Sequence, residues 1–139
     1  MSVKSPEGWI TVVEGDAVSK NEPEELVDRF LATWEGGDVD EMLTFFADDA
    51  VYHNMPMEPA VGTEAIRATL TQFMTGMGGT LRAEVHQQLS AGSTVMHERT
   101  DHFSVNGETM SLPICGVFEV EDGRIKRWRE YFDMSRFLG

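Results

Sequence analysis

The stretch STVMHERTDHFSVNGETMSLPICGVFEVEDGRIKRWREYFDM, residues 93–134, decides the fold. Two dipeptides, Asn106-Gly107 and Asp122-Gly123, interrupt three runs rich in Val, Ile, Phe, Thr and Trp. Asn-Gly and Asp-Gly tolerate the positive φ angles of a tight hairpin, so the three runs read as an antiparallel meander. Immediately upstream, LRAEVHQQLSAG (81–92) supplies a fourth strand. The first half has a different period. Pro23, Glu24 and Glu25 suit a helix start, and Leu26, Val27, Phe30, Leu31 and Trp34 follow helical spacing up to Gly36-Gly37. Asp38 with Glu41 resembles a capping box opening a short helix over DVDEMLTFFA (38–47). AVYHNMPMEPAVG (50–62) reads as a short strand running into a proline-bearing loop. Thr63 can cap a third helix, TEAIRATLTQFMTG (63–76), with Ile66, Leu70, Phe73, Met74 and Met77 along its apolar side. The class is therefore α+β: a curved mixed or antiparallel sheet packed against three to four N-terminal helices, forming a cone with a deep apolar pocket.

The 139 residues fit one domain over 21–139, preceded by an N-terminal arm over 1–20 that shows no clear period. With 11 basic and 24 acidic residues the formal charge is −13, which argues against nucleic acid or an anionic membrane as partner. It favours neutral or apolar small molecules. No segment approaches the roughly 20 apolar residues of a membrane helix, and the N-terminus does not read as a signal peptide. The lone Cys115 excludes an intramolecular disulfide framework and fits a reducing cytoplasm. It lies in the apolar run LPICGVFEV, where a packed, inert thiol is expected.

Alternation along the strands sorts the polar residues. Tyr52 and Asn54 share a face; so do His97, Arg99, Asp101 and Phe103; so do Leu112 and Ile114; so do Trp128, Glu130 and Phe132. With the apolar members inward, two carboxylates and one arginine enter an apolar cavity. A buried ion pair that merely fixes strand register is the plainer reading of any one of these residues. Together they point to a site. Two acids around one guanidinium leave an excess negative charge in a low-dielectric space, which is costly unless one acid keeps its proton. Such a pair suits general-acid and general-base chemistry. Asp133 falls on the opposite face. His53, His86, His97 and His102 show no metal-ligand spacing; His97 shares the face of Arg99 and is a candidate outer pocket residue.

YHN at 52–54, ERTD at 98–101 and GVFEVEDGRIKRWREYFD at 116–133 resemble the limonene-1,2-epoxide hydrolase family, within the nuclear transport factor 2-like cone-fold superfamily. The resemblance runs from about residue 21 to 137 in motif order and spacing. It implies one-step addition of water to a small hydrophobic epoxide, terpene-like or lipid-like, without cofactor, metal or covalent intermediate. It also implies a homodimer. Carried over, Tyr52, Asn54 and the last-strand carboxylate hold the water, that carboxylate deprotonates it, protonated Asp101 donates to the epoxide oxygen, and Arg99 bridges the acids. Leu31, Trp34, Phe73, Met77, Phe103, Leu112, Ile114, Trp128, Phe132 and Phe137 are the candidate substrate-binding residues, in a cavity expected to be methionine-rich.

One departure matters. The family pattern reads W-R-D-Y-F-D, and its first aspartate is the base; here that position is Glu130. The added methylene moves the carboxylate by roughly 1 Å, a displacement that can cost about 100-fold if uncompensated. Glu130 acting as base with a shifted water, another reaction in the same pocket, and residual activity all remain open. The first is expected because every other named position is intact. The rival readings are an isomerase, dehydratase or polyketide cyclase on the same cone, and a ligand-binding module that does not need the inward acids.

Overall fold

The computed structural model describes residues 20–76 and 81–135. Helix α1 (Glu22–Ala32) opens where Asn21 Oδ1 accepts from the Glu24 N–H, with Pro23 and three glutamates in the first turn. Its apolar side, Leu26, Val27, Phe30 and Leu31, is buried. A short 3₁₀ turn (Trp34–Gly36) ends at Gly37, whose φ of 70° only glycine adopts readily. Asp38 caps α2 (Val39–Leu43) through the Glu41 N–H, as the capping-box reading expects. The helix is shorter than its apolar spacing suggests. Chain from Phe46 belongs to strand β1 (Phe46–Asn54), which begins four residues before the expected start at Ala50. The aromatic pair Phe45-Phe46 fits either period; packing of Phe46 against Phe30 and Trp128 draws it into the sheet. Strand β2 (Ala60–Val61) and helix α3 (Thr63–Gly76) follow.

Strands β3 (Leu81–Ala91), β4 (Thr94–Val105), β5 (Glu108–Glu121) and β6 (Arg124–Tyr131) form the antiparallel meander. Asn106 and Asp122 take φ of 52° and 53°, each followed by a positive-φ glycine, as tight hairpins require. The six strands form one sheet in the order β2-β1-β6-β5-β4-β3. Strand β1 lies parallel to β6, so the sheet is mixed. That pairing brings the Tyr52–Asn54 segment beside Trp128–Glu130.

The helices cover one face of the sheet. Trp128, 1% exposed, stands at the centre of an aromatic cluster: Tyr52 stacks on it at 4.0 Å and Phe30 meets it edge-on at 5.0 Å. Each such pair adds about 0.5–1.5 kcal/mol beyond the area it buries. Cys115 departs from expectation. It is exposed, because it lies on the outer face of β5 with the exposed Ser111 and Pro113, while Ile114 and Gly116 point inward. The expected arm over residues 1–20 lies, except for Lys20, outside the described residues.

Candidate active site

A cavity of about 200 Å³ opens between the helices and the inner face of the sheet. Its wall is apolar, from Trp34, Met57, Leu70, Phe73, Met74, Leu81, Leu112, Ile114, Trp128, Phe132 and Met134. Its polar members are Tyr52, Asn54, Arg99, Asp101 and Glu130. Strand alternation brings these five to one place, since Asn54 and Glu130 are register partners across β1 and β6, and Gly116 links Glu130 on β6 to His97 on β4.

Arg99 organises the centre. Its Nε donates to Asp101 Oδ1 at 2.8 Å and its Nη2 to Asp101 Oδ2 at 3.1 Å. On the other side Nη1 donates to Glu130 Oε2 at 2.9 Å, and Nη2 donates to Glu130 Oε1. Arg99, Asp101 and Glu130 are only 1%, 4% and 2% exposed. Trp128 Nε1 donates to Glu130 Oε2 at 2.8 Å, and the Trp34 ring lies 4.9 Å from the Arg99 guanidinium carbon. Tyr52 Oη donates to Asn54 Oδ1 at 3.3 Å, leaving the NH₂ as the donor end of Asn54.

Burial pushes the Glu130 carboxyl above the usual glutamate range; the Arg99 charge and hydrogen bond oppose this, and the Asp101 charge adds to it. Burial likewise raises the Tyr52 phenol, with the Glu130 charge second, so Tyr52 stays a neutral hydroxyl. Arg99 is held more firmly charged than an ordinary arginine, because the two carboxylates outweigh the cost of its burial. Glu130 therefore faces, across the one guanidinium of Arg99, a second buried carboxyl, Asp101.

Of the sequence-derived candidates, Trp34, Phe73, Leu112, Ile114, Trp128 and Phe132 line the cavity. Leu31 and Phe103 do not. Leu31 packs into the core from α1, and Phe103 lies past Asp101 on β4, paired with Leu81 and Met110. Met77 and Phe137 lie outside the described residues. His97 is buried behind Arg99 and does not line the cavity. Leu70 and Met74 were visible as the apolar side of α3 but not as cavity residues. Met57 and Met134 come from irregular chain with no period to betray them. Among the described residues no cluster of three or more His, Cys, Asp or Glu could hold a metal ion.

The profile of the limonene-1,2-epoxide hydrolase catalytic domain matches residues 21–139. The chain belongs to the limonene-1,2-epoxide hydrolase family. It is 36% identical over 108 residues to a Mycobacterium tuberculosis protein named epoxide hydrolase EphG, covering 78% of this chain and 71% of that protein. A solved structure described as an M. tuberculosis LEH-like epoxide hydrolase superposes with a TM-score of 0.71 at 31% identity, over 84% of this chain and 86% of that one. A SnoaL-like polyketide cyclase structure from Jannaschia sp. gives 0.75 at 14% identity, over 88% and 95%. At that identity the likeness is one of fold, which hydrolases of this family share with other enzyme types.

Proposed function

We propose that this protein hydrolyses a small hydrophobic epoxide to a vicinal diol in one step, with Glu130 as general base and Asp101 as general acid. The observation that carries the reading is the single guanidinium of Arg99 bonded to both carboxylates within an apolar cavity. An epoxide carbon is a modest electrophile and its alkoxide a poor leaving group, so base and acid acting on opposite sides of the ring lower both barriers together. Asn54 stands in register with Glu130, and Tyr52 bonds to Asn54. That corner suits a water between the three. Glu130 takes one proton from it as its oxygen bonds to carbon; the ring C–O bond breaks, and the oxygen takes the proton of Asp101. Proton transfer from Glu130 back to Asp101 restores the pair. Arg99 balances the charge throughout.

The apolar wall supports a substrate whose only polar centre is the epoxide oxygen. Met57, Met74 and Met134 supply adaptable walls for a bulky terpene-like or lipid-like group. The family resemblance also supports a homodimer. The sheet face away from the cavity carries Leu89, Met96 and Tyr131, which are 70%, 47% and 44% exposed.

The test is diol formation from a panel of terpene and lipid epoxides by the wild type, Asp101→Asn and Glu130→Gln. Turnover in the wild type and its loss in both variants is expected. Full activity in Glu130→Gln removes Glu130 from the base role. Absence of diol from the whole panel favours isomerase or cyclase chemistry in this cavity.

A further inference from the structure

Arg99 has five N–H bonds, and four of them go to Asp101 and Glu130. The fifth, on Nη1, meets His97 Nε2 at 2.9 Å. His97 is 2% exposed and does not line the cavity, so it does not touch a substrate there. We propose that His97 is the positioning residue for Arg99, and that a hydrogen-bond chain running to Asp28 on α1 holds its ring in the tautomer Arg99 requires.

The direction of the chain follows from its ends. A guanidinium only donates, so His97 Nε2 must accept, and the imidazole carries its proton on Nδ1. Nδ1 lies 3.1 Å from Gln88 Oε1 and donates to it. The other end of the Gln88 amide donates from Nε2 to Asp28 Oδ1 at 3.2 Å. A carboxylate only accepts, so Asp28 fixes the orientation of the Gln88 amide and through it supports the His97 tautomer that Arg99 requires. Asp28 Oδ2 in turn accepts from Lys20 Nζ at 2.6 Å. One polarity of the chain satisfies every member. The reverse would set an imidazole N–H against a guanidinium N–H.

The groups around His97 agree with a neutral ring. Arg99 lies beside it on β4, Gln88 faces it from β3, and the Phe118 ring on β5 meets it edge-on at 5.2 Å. Glu130 on β6 stands across Gly116. A Cβ at Gly116 would lie 2.6 Å from Glu130 Oε2, 3.0 Å from Arg99 Nη1 and 3.1 Å from His97 Nε2. Burial and the Arg99 charge hold His97 down to a pKa of about 3, so the ring does not charge at ordinary pH. With His97 in place, the guanidinium plane is pinned at its fifth corner as well as by the two carboxylates. Without it, one buried N–H loses its acceptor and the fork is free to turn away from the geometry both acids need.

This role rests on the proposed hydrolysis for its kinetic consequence and on the hydrogen bonds alone for its spectroscopic one. The test therefore joins the two. Long-range ¹⁵N–¹H NMR reads the His97 tautomer, the Arg99 Nη protons report guanidinium rotation, and turnover is measured in His97→Leu, His97→Gln and Gln88→Leu. The wild type should show the Nδ1–H tautomer and separate Arg99 Nη signals. In His97→Leu those signals should merge, and kcat should fall about tenfold or more with KM within about twofold. His97→Gln, which restores an acceptor, should recover both. Gln88→Leu, outside the cavity, should keep the Nδ1–H tautomer that Arg99 requires, loosen the ring and with it the Arg99 signals, and lower kcat less. An Nε2–H tautomer in the wild type overturns the proposal. So do unchanged Arg99 signals and kcat in both His97→Leu and Gln88→Leu. Should no epoxide be turned over, the reading of the reaction falls, and the tautomer and guanidinium signals decide on His97 by themselves.

Discussion

Glu130 is the residue on which the proposed hydrolysis turns. Its carboxylate accepts from Trp128 and Arg99, and those bonds set where it can reach a water. Because burial raises its pKa, the base form appears at higher pH than for an ordinary glutamate near 4.3. Turnover should therefore rise with pH through an acid limb above that value. A pH–kcat/KM profile checks this, and a limb at the ordinary glutamate value contradicts it. The same shift acts on stability. A carboxyl whose pKa is higher folded than unfolded contributes stability below the unfolded pKa and loses it as pH rises through the folded one. Glu130→Gln should remove that component, giving a flatter dependence of Tm on pH above about 4.3 than the wild type. Glu130→Asp should retain turnover, since it restores the aspartate that the family pattern carries at this position. Alternation along β4 and β6 made Arg99, Asp101 and Glu130 legible as inward residues, because one face of each strand carries the large apolar side chains. The exposure of Cys115 was not legible in the same way, since LPICGVFEV is apolar on both faces.

At the scale of elements, the site depends on strands meeting without a side chain between them. Gly116 stands opposite both Glu130 and His97, and a methyl group there would press on the buried heads of Glu130, Arg99 and His97. Gly116→Ala should lower stability by about 1–3 kcal/mol. It should also reduce kcat by about 100-fold, because the displaced carboxylate is the proposed base. Chemical denaturation and steady-state kinetics on the same variant check both, and native values would refute the close packing. Two element-level features escaped sequence reasoning for identifiable reasons. The parallel pairing of β1 with β6 joins segments about 75 residues apart, and no local period encodes such a partner. The Gln88–His97 contact depends on a register shift between Val85 and Gln87, which reverses the alternation along the rest of β3. Counting by twos from Val85 turns Gln87 inward instead. The short α2 has a related cause, since Phe46 fits a helix by spacing but joins β1 by packing.

The whole molecule is an apolar chamber inside a strongly acidic protein. The formal charge of −13 lies around a cavity whose wall is apolar apart from five site residues, and this suits a neutral substrate. Ile114→Trp, on the cavity wall, should fill the space and raise KM or abolish binding while the fold is retained, as read by circular dichroism and kinetics. On the outer face of the sheet, Leu89 pairs with Met96, and Met96 with Val117, in an apolar line across three strands. If a second copy covers that line, Met96→Asp should convert a dimer to a monomer in sedimentation, whereas an unchanged mass would place any dimer contact elsewhere. The α+β class and the meander were readable from hairpin dipeptides and strand periodicity. The cavity outline was not fully readable, because irregular chain at Met57 and Met134 completes it. Direct attack by water, with no oxygen passing through the protein, is the core of the proposed reaction. It is tested by one turnover of a hydrolysed epoxide with excess enzyme in ¹⁸O-labelled water. Direct attack puts one labelled oxygen in the diol from that first turnover; an unlabelled diol would mean a carboxylate oxygen had attacked, and would rule direct attack out.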